Sequence, residues 1–518
     1  MDTFRSLAAR LKSLKGWAIG GYILAVTLAI YFAFSHWSSD DPFITFRYVD
    51  NLRRGLGFVY NPGERVLSTT TPLFTLLLAG LGFVWREIPH LAILLNAFGL
   101  ALGGFFLWDM AHSWKTPLVG WAGLLLYPTF PLLLTTLGAE TTLYLAFCLG
   151  SFAFYARRNL LLTATFTALA VLTRPDGALI GMVLVAHFLL ERVRGNGFSR
   201  ADAGKLTENN FSRNPWLASL LFLDLILPWF VFTTWYFGSP LPATLATKQL
   251  QGSMTISQQF APGFLTIAGY YAVHWRYRFE ALLAVVGVVA LFGWARRWLP
   301  FFSWTALYFL AYSLLGVSRY SWYYAPLVPA FIVLVGLGLS FIAHPPFFPS
   351  PPPSRSQSQS LFSPASSASF LLRSLTVLLL LFFVVAQLGD LLRIRQKPDA
   401  RYSLYRAAGE WLQANTNPSD SIGALEIGII GYYAHRPMVD FAGLLQPLVA
   451  DRLRGETTYE NAALWAVERY HPSYLALIDG HFPRLEQGYV VQFCTLAQRF
   501  LGEDFDYSAN LSIYACQR

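Results

Sequence analysis

Ser38–Pro72 reads SSDDPFITFRYVDNLRRGLGFVYNPGERVLSTTTP. It follows one apolar run, Gly16–Phe34, and ends where another begins. The first run has the roughly 20 residues a membrane-crossing helix needs, so the segment is an interhelical loop of a membrane protein. Two adjacent carboxylates, Asp40 and Asp41, open it. In Pro42–Arg54, Phe43, Phe46 and Tyr48 alternate with charge, which predicts a helix lying in the membrane interface. The turn Asn61-Pro62-Gly63-Glu64 and the hydroxyl run Ser68–Thr71 then return the chain to the membrane. The acid pair has two readings. It caps the interfacial helix, with Pro42 at the first position, or it holds a reactive group at headgroup level. The loop as a whole favours the second.

Composition agrees with a membrane bundle. The 518 residues are 55% hydrophobic and 13% charged, where a soluble domain carries about 25% charged residues. Mean hydropathy is +0.43. The net charge of +9 sits in short basic clusters between apolar runs, as the positive-inside rule predicts, and not in one stripe, which argues against a nucleic-acid partner. Three cysteines exclude a disulfide scaffold. Cys148 lies in an apolar run, while Cys494 and Cys516 lie in the polar C-terminal region, as a disulfide or as two thiols.

Basic residues precede the first run, which is too long for a signal peptide and reads as an uncleaved anchor. Further spans are predicted at 72–110, 117–137, 140–156, 159–173, 177–190, 216–237, 280–294, 300–316, 324–342 and 371–389. Placing Arg157-Arg158, the stretch 191–213 and Arg296-Arg297 in the cytoplasm requires 72–110 to cross once, giving about eleven crossings. Loop 36–71, Glu140, Arg174-Pro175-Asp176, loop 238–279, Arg319-Tyr320 and everything after 390 then share the outer side. Residues 1–342 form the transmembrane body and 343–370 a Pro/Ser-rich linker that cannot bury a core. Residues 371–390 are a last span, and 391–518 a small α/β domain with strands at Ser421–Glu426 and Tyr474–Ile478 and a helix at Ser403–Ala414.

The chain resembles the GT-C superfamily of polyprenyl-phosphate-sugar-dependent glycosyltransferases, in particular its bacterial terminal arabinofuranosyltransferase and mannosyltransferase-like branch. The resemblance rests on Asp40-Asp41-Pro-Phe-Ile-Thr-Phe-Arg-Tyr, on Gly55-x-Gly57-Phe-Val-Tyr-Asn-Pro-Gly-Glu64-Arg65-Val, and on Thr71-Pro72-Leu73. Echoes follow at Gly138-Ala-Glu140-Thr, Thr173-Arg-Pro-Asp-Gly177, Gly238 to Lys248, Arg319-Tyr-Ser-Trp-Tyr-Tyr324, Glu426 to Tyr433, and Asp440-Phe-Ala-Gly-Leu444. Ala243 departs from the pattern, since relatives often carry Asn there. The resemblance implies an α-helical GT-C bundle in the plasma membrane. Its active site would face outward, moving a sugar from a polyprenyl phosphate to a glycan, lipid or protein of the cell envelope.

That chemistry needs a base for the acceptor hydroxyl and positive charge for the departing phosphate. Asp40 or Asp41 is the expected base, the other being free to hold an arginine or a divalent ion, the one candidate cofactor. Arg174, Lys248 and Arg319 are candidate phosphate ligands, because charge beside an apolar span defaults to function and arginine offers a two-pronged grip; snorkelling is the bland alternative. Arg47, Glu64, Glu140, Asp176, Tyr320 and Tyr323 complete the expected substrate site. Glu140 reads equally as an acid at a helix N-terminus, and Trp322, Tyr323 and Tyr324 as an aromatic belt. Glu426 and His435 face an acceptor or are ordinary surface. A secondary transporter would show internal repeats and midplane charges, and a polymerase or ligase of lipid-linked glycans would carry its key residues in a late outer loop. Neither pattern is present.

Overall fold

A computed structural model describes residues 2–37, 39–194, 212–343, 364–396 and 399–517, with side chains from residue 16 onward except 364–370. The greater part of the expected linker, and the centre of the basic stretch 191–213, lie outside the described residues. The molecule is an α-helical bundle carrying a small C-terminal sheet domain. Among the described residues six helices are long and apolar enough to cross a membrane: Gly16–Phe34, Ile88–Ser113, Pro215–Phe237, Arg296–Leu315, Ser321–Ala343 and Leu371–Arg395.

Two other expected spans are broken, and proline explains one of the breaks. Residues 117–137 divide into Pro117–Leu125 and Pro131–Leu134, since Pro131 lacks an N–H and keeps the preceding residue out of helical geometry. Residues 72–110 divide into the short Pro72–Leu81 and the full-length Ile88–Ser113. Thr141–Ala156 has 16 residues and Leu160–Thr173 has 14. Helices Trp275–Gly293 and Val328–Ala343 pack through small residues. A Cβ at Gly287 would stand 2.0 Å from the Leu334 carbonyl oxygen, and one at Gly338 would stand 2.1 Å from that of Leu283. Such backbone proximity is how helices associate where lipid supplies no hydrophobic drive.

The C-terminal domain holds a five-stranded sheet ordered β2-β1-β3-β5-β4, with β1 Ile422–Ala424, β2 Met438–Asp440, β3 Tyr474–Ile478, β4 Cys494–Phe500 and β5 Leu511–Cys516. The first three strands are parallel and the last two pairings antiparallel. Helix Arg401–Asn415 covers it, and Cys494 and Cys516, paired across β4 and β5, form a disulfide.

Helix Asp41–Arg53 departs from the expected interfacial helix. Pro42, Phe43, Ile44, Phe46, Arg47, Tyr48, Val49 and Asn51 are all buried. Its apolar residues share one core with Leu78 and Leu91 of the bundle and with Ile427, Ile429 and Ile430 of the C-terminal domain. The helix is a layer between two bodies, and the charges read as its wet face are consumed there. Arg47 Nη1 lies 2.6 Å from His435 Nδ1, Arg54 pairs with Asp50 at 2.9 Å, and Arg54 Nη2 reaches His435 Nε2 at 3.2 Å. Burial and the two neighbouring guanidinium groups hold the His435 pKa down to about 4, so the ring is neutral and accepts a hydrogen bond at one of its two nitrogens.

Candidate active site

A cavity of about 400 Å³ opens where the bundle meets the C-terminal domain, within the range of small-molecule sites. Asp41, Glu140, Arg174, Asp176, Lys248 and Tyr323 all line it, together with Trp322 and Tyr312. A wall of hydroxyls, Thr45, Ser68, Thr69, Thr70 and Thr71, faces it, and Leu444 of the C-terminal domain closes over it.

Local sequence explains each placement. Asp41 is the first residue of helix Asp41–Arg53 and is exposed to the cavity. Among the described residues it makes no hydrogen bond or ion pair, so its carboxylate is available. Thr45, one turn on along the same face, lies 3.4 Å from the hydroxyls of both Thr69 and Thr71. Glu140 stands at the N-terminus of Thr141–Ala156 but makes no capping bond. The loop before it is fixed by Gly138 N–H donating to Asn96 Oδ1 at 3.0 Å. Arg174 precedes Pro175, which forces it into extended geometry (φ −151°) and swings the side chain off the end of Leu160–Thr173.

Arg174 is buried, and most of its donors are taken. Nε and Nη2 grip Asp176 at 3.2 and 2.9 Å, Nη1 reaches Glu140 at 3.4 Å, and Nη2 also donates to Tyr312 Oη at 2.8 Å. Its guanidinium lies over the rings of Tyr144 and Tyr323, 5.1 and 5.8 Å from their centroids. Two carboxylates thus neutralise one arginine. Lys248 is the opposite case. It is buried on helix Thr244–Gly252, with Nζ 3.9 Å from the Tyr320 ring centroid, and makes no ion pair or hydrogen bond among the described residues. Tyr320 is held in place by donating to Gln251 Oε1 at 2.9 Å. The helix itself is tied to the roof, since Thr247 Oγ1 donates to Gly443 O at 3.3 Å and Gln251 Nε2 to Ala442 O at 3.1 Å. At the departing position, Ala243 N–H bonds Leu67 O at 3.0 Å, so backbone makes that tie.

Five expected site residues do not line the cavity: Tyr320, which lies against Lys248, and four that stand farther off. Asp40 is buried and turned away from the cavity. Its Oδ2 accepts from Gly428 N–H at 3.0 Å and its Oδ1 from Ile429 N–H at 2.8 Å, at the start of helix Gly428–Ala434. With both oxygens engaged it is not placed to take a substrate proton, and it does not cap its own helix either. Burial first, and then the nearby Glu426, push its pKa well above the usual carboxylate range. Arg47 is spent on His435. Glu64 is exposed in its turn and accepts from Asn61 at 3.0 Å. Arg319 is exposed, its stem against Gly263. Glu426 pairs with Arg401 at 2.9 Å; burial, and Asp41 and Asp399 nearby, push its pKa up against the pull of Arg401. The hydroxyl wall and Tyr312 escaped the sequence reading, although the four-residue step from Asp41 to Thr45 would have found one of them. Among the described residues no three His, Cys, Asp or Glu side chains converge on a metal position.

Residues 393–514 match the profile of a domain of unknown function, DUF8728. No curated protein matches the chain. Among solved structures, ArnT from Cupriavidus metallidurans in the apo state superposes with a TM-score of 0.61 at 14% identity, covering 97% of this chain and 98% of that one. The same protein bound to undecaprenyl phosphate gives 0.52 at 16% identity, covering 96% and 98%. End to end, bundle and sheet domain together, the chain has the fold of ArnT.

Proposed function

We propose that the chain is a membrane glycosyltransferase that moves a sugar from a polyprenyl-phosphate donor to a cell-envelope glycan, lipid or protein. The observation that carries this reading is the pairing, in one cavity, of a carboxylate, Asp41, with a cation, Lys248, neither of which forms a hydrogen bond or ion pair among the described residues. Transfer requires both. The acceptor oxygen attacks the anomeric carbon and the carbon–oxygen bond to phosphate breaks, its electron pair leaving with the phosphate. Asp41 takes the proton of the acceptor hydroxyl, and Lys248 meets the charge growing on the phosphate. Glu140, Arg174 and Asp176 form a pre-set polar frame, while Tyr323 and Trp322 offer faces for a sugar ring and the threonine wall offers hydroxyls. The shared fold with ArnT, one structure of which holds undecaprenyl phosphate, supports a lipid-linked donor.

Residues 1–342 form the transferase body on this reading, and 391–518 its extracytoplasmic roof. The disulfide between Cys494 and Cys516 supports the outer placement, because such bonds persist in oxidising compartments. The test is Asp41→Asn in purified protein given a lipid extract containing polyprenyl-phosphate sugars, with release of undecaprenyl phosphate followed by mass spectrometry. A fall of a hundredfold or more with donor binding retained is expected. Parental turnover in the variant would refute the assignment.

A further inference from the structure

We infer that the C-terminal domain is part of the catalytic apparatus, and that Asp40 is the positioning residue through which it sets the carboxylate of Asp41. This rests on the reading of Asp41 as base and gives the domain of unknown function a task beyond roofing the cavity.

Three observations converge. First, the contact is built for close approach. A Cβ at Gly428 would stand 2.0 Å from the Asp40 carbonyl oxygen and 2.6 Å from its Oδ2. Only glycine lets the helix start reach the loop, and both successive N–H groups then hold one carboxylate. Second, the contact sits one peptide unit from the catalytic group. Consecutive Cα atoms are about 3.8 Å apart, so fixing Asp40 by its side chain fixes the backbone from which Asp41 projects. Among the described residues Asp41 has no side-chain partner of its own to hold it. Third, the surrounding ties allow little slack. Tyr60 Oη donates to Ile427 O at 2.5 Å, Asn61 Nδ2 to Met438 O at 2.9 Å, and Met438 N–H returns a bond to Asn61 Oδ1 at 2.9 Å. The first loop and the domain are joined as one piece, with Asp40 the member of that joint adjacent to the chemistry. Misplacing a reacting group by about 1 Å can cost a hundredfold in rate.

The experiment uses full-length protein in nanodiscs and reads kcat and KM for the lipid-linked donor, undecaprenyl phosphate binding, and melting temperature. Asp40→Asn keeps the side-chain volume and one accepting oxygen but turns an amide N–H toward a backbone N–H. Gly428→Ala attacks the same contact from the other side. Each is expected to lower kcat at least tenfold with donor KM and undecaprenyl phosphate binding unchanged, and the double variant should cost no more than the worse single. Arg47→Met loosens the same joint away from Asp41, so its kcat should fall far less for an equal loss in melting temperature. Parental kcat in folded Asp40→Asn or Gly428→Ala overturns the inference, as does a kcat loss in Arg47→Met equal to theirs. Should one of the pair not fold, the other decides alone. Failure here leaves the Asp41→Asn result untouched, so the two readings fall separately.

Discussion

Replacing Lys248 by methionine should weaken undecaprenyl phosphate binding by ten- to a hundredfold. The side chain is buried, lies 3.9 Å from the Tyr320 ring centroid and forms no ion pair among the described residues, Asp440 acting on it only at longer range. A unit charge on phosphate about 4 Å away interacts with it by about 4 kcal/mol at an effective dielectric near 20. Both groups shed water to meet, and the net value of a hydrogen bond to a charged group is about 1.5–3 kcal/mol. At roughly 1.4 kcal/mol per factor of ten this gives the stated range. Methionine keeps the stem and its packing on Tyr320 while removing the charge. Titration of purified protein with undecaprenyl phosphate, read by tryptophan fluorescence, measures it, since Trp322 lines the same cavity. Lys248→Arg should recover most of the affinity. A Kd for Lys248→Met within twofold of the parent would show that the phosphate is held elsewhere.

Arg174 and Arg319 should behave oppositely. Arg174→Lys loses a fork shared by Asp176, Glu140 and Tyr312 and should lower transfer tenfold or more, whereas the exposed Arg319→Lys should transfer at the parental rate, both read in the donor-release assay. The joint between loop and C-terminal domain should weaken in acid. Folded His435 has its pKa lowered to about 4, so the unfolded chain binds the extra proton between about pH 6.5 and 4. Stability from this group is full above 6.5 and lost as pH falls through that window, by about 1–2 kcal/mol once solvent screening is allowed for. The raised carboxyls Asp40 and Asp440 act in the opposite direction, so the measurement is the difference in denaturant midpoint between parent and His435→Gln, which should close at pH 4.5 relative to pH 7.5; an unchanged gap would dismiss the histidine.

What the sequence made legible follows the range of the interactions involved. The polytopic helical class and the C-terminal α/β body are written in local composition and period, and Arg174 and Lys248, like Arg319, stood out because charge beside an apolar run is costly. Asp40 and Asp41 could not be told apart, because what separates them is a pair of N–H groups on Gly428 and Ile429, 388 and 389 residues away. Arg47 misled for the same reason, its partner His435 lying 388 residues on. The helix expected in the interface carried a true amphipathic pattern, but the pattern does not say whether water or a second body meets its polar face. Arg319 had the right residue type beside the right motif, and only the folded chain shows that it is exposed and does not line the cavity.

The two short helices that end at the cavity bear on how deep the chemistry lies. Thr141–Ala156, with Glu140 at its head, has 16 residues and Leu160–Thr173, with Arg174 at its foot, has 14. At 1.5 Å per residue they rise about 24 and 21 Å, against a hydrocarbon slab of about 30 Å. Where lipid meets such elements it would thin, or let their ends sink below its surface. On the proposed reading, the floor of the site then lies several ångströms beneath the surrounding headgroups. A prenyl carrier would reach it sideways without lifting its tail from lipid, while a polar acceptor would have to descend past Leu444, so the two substrates would enter by different doors.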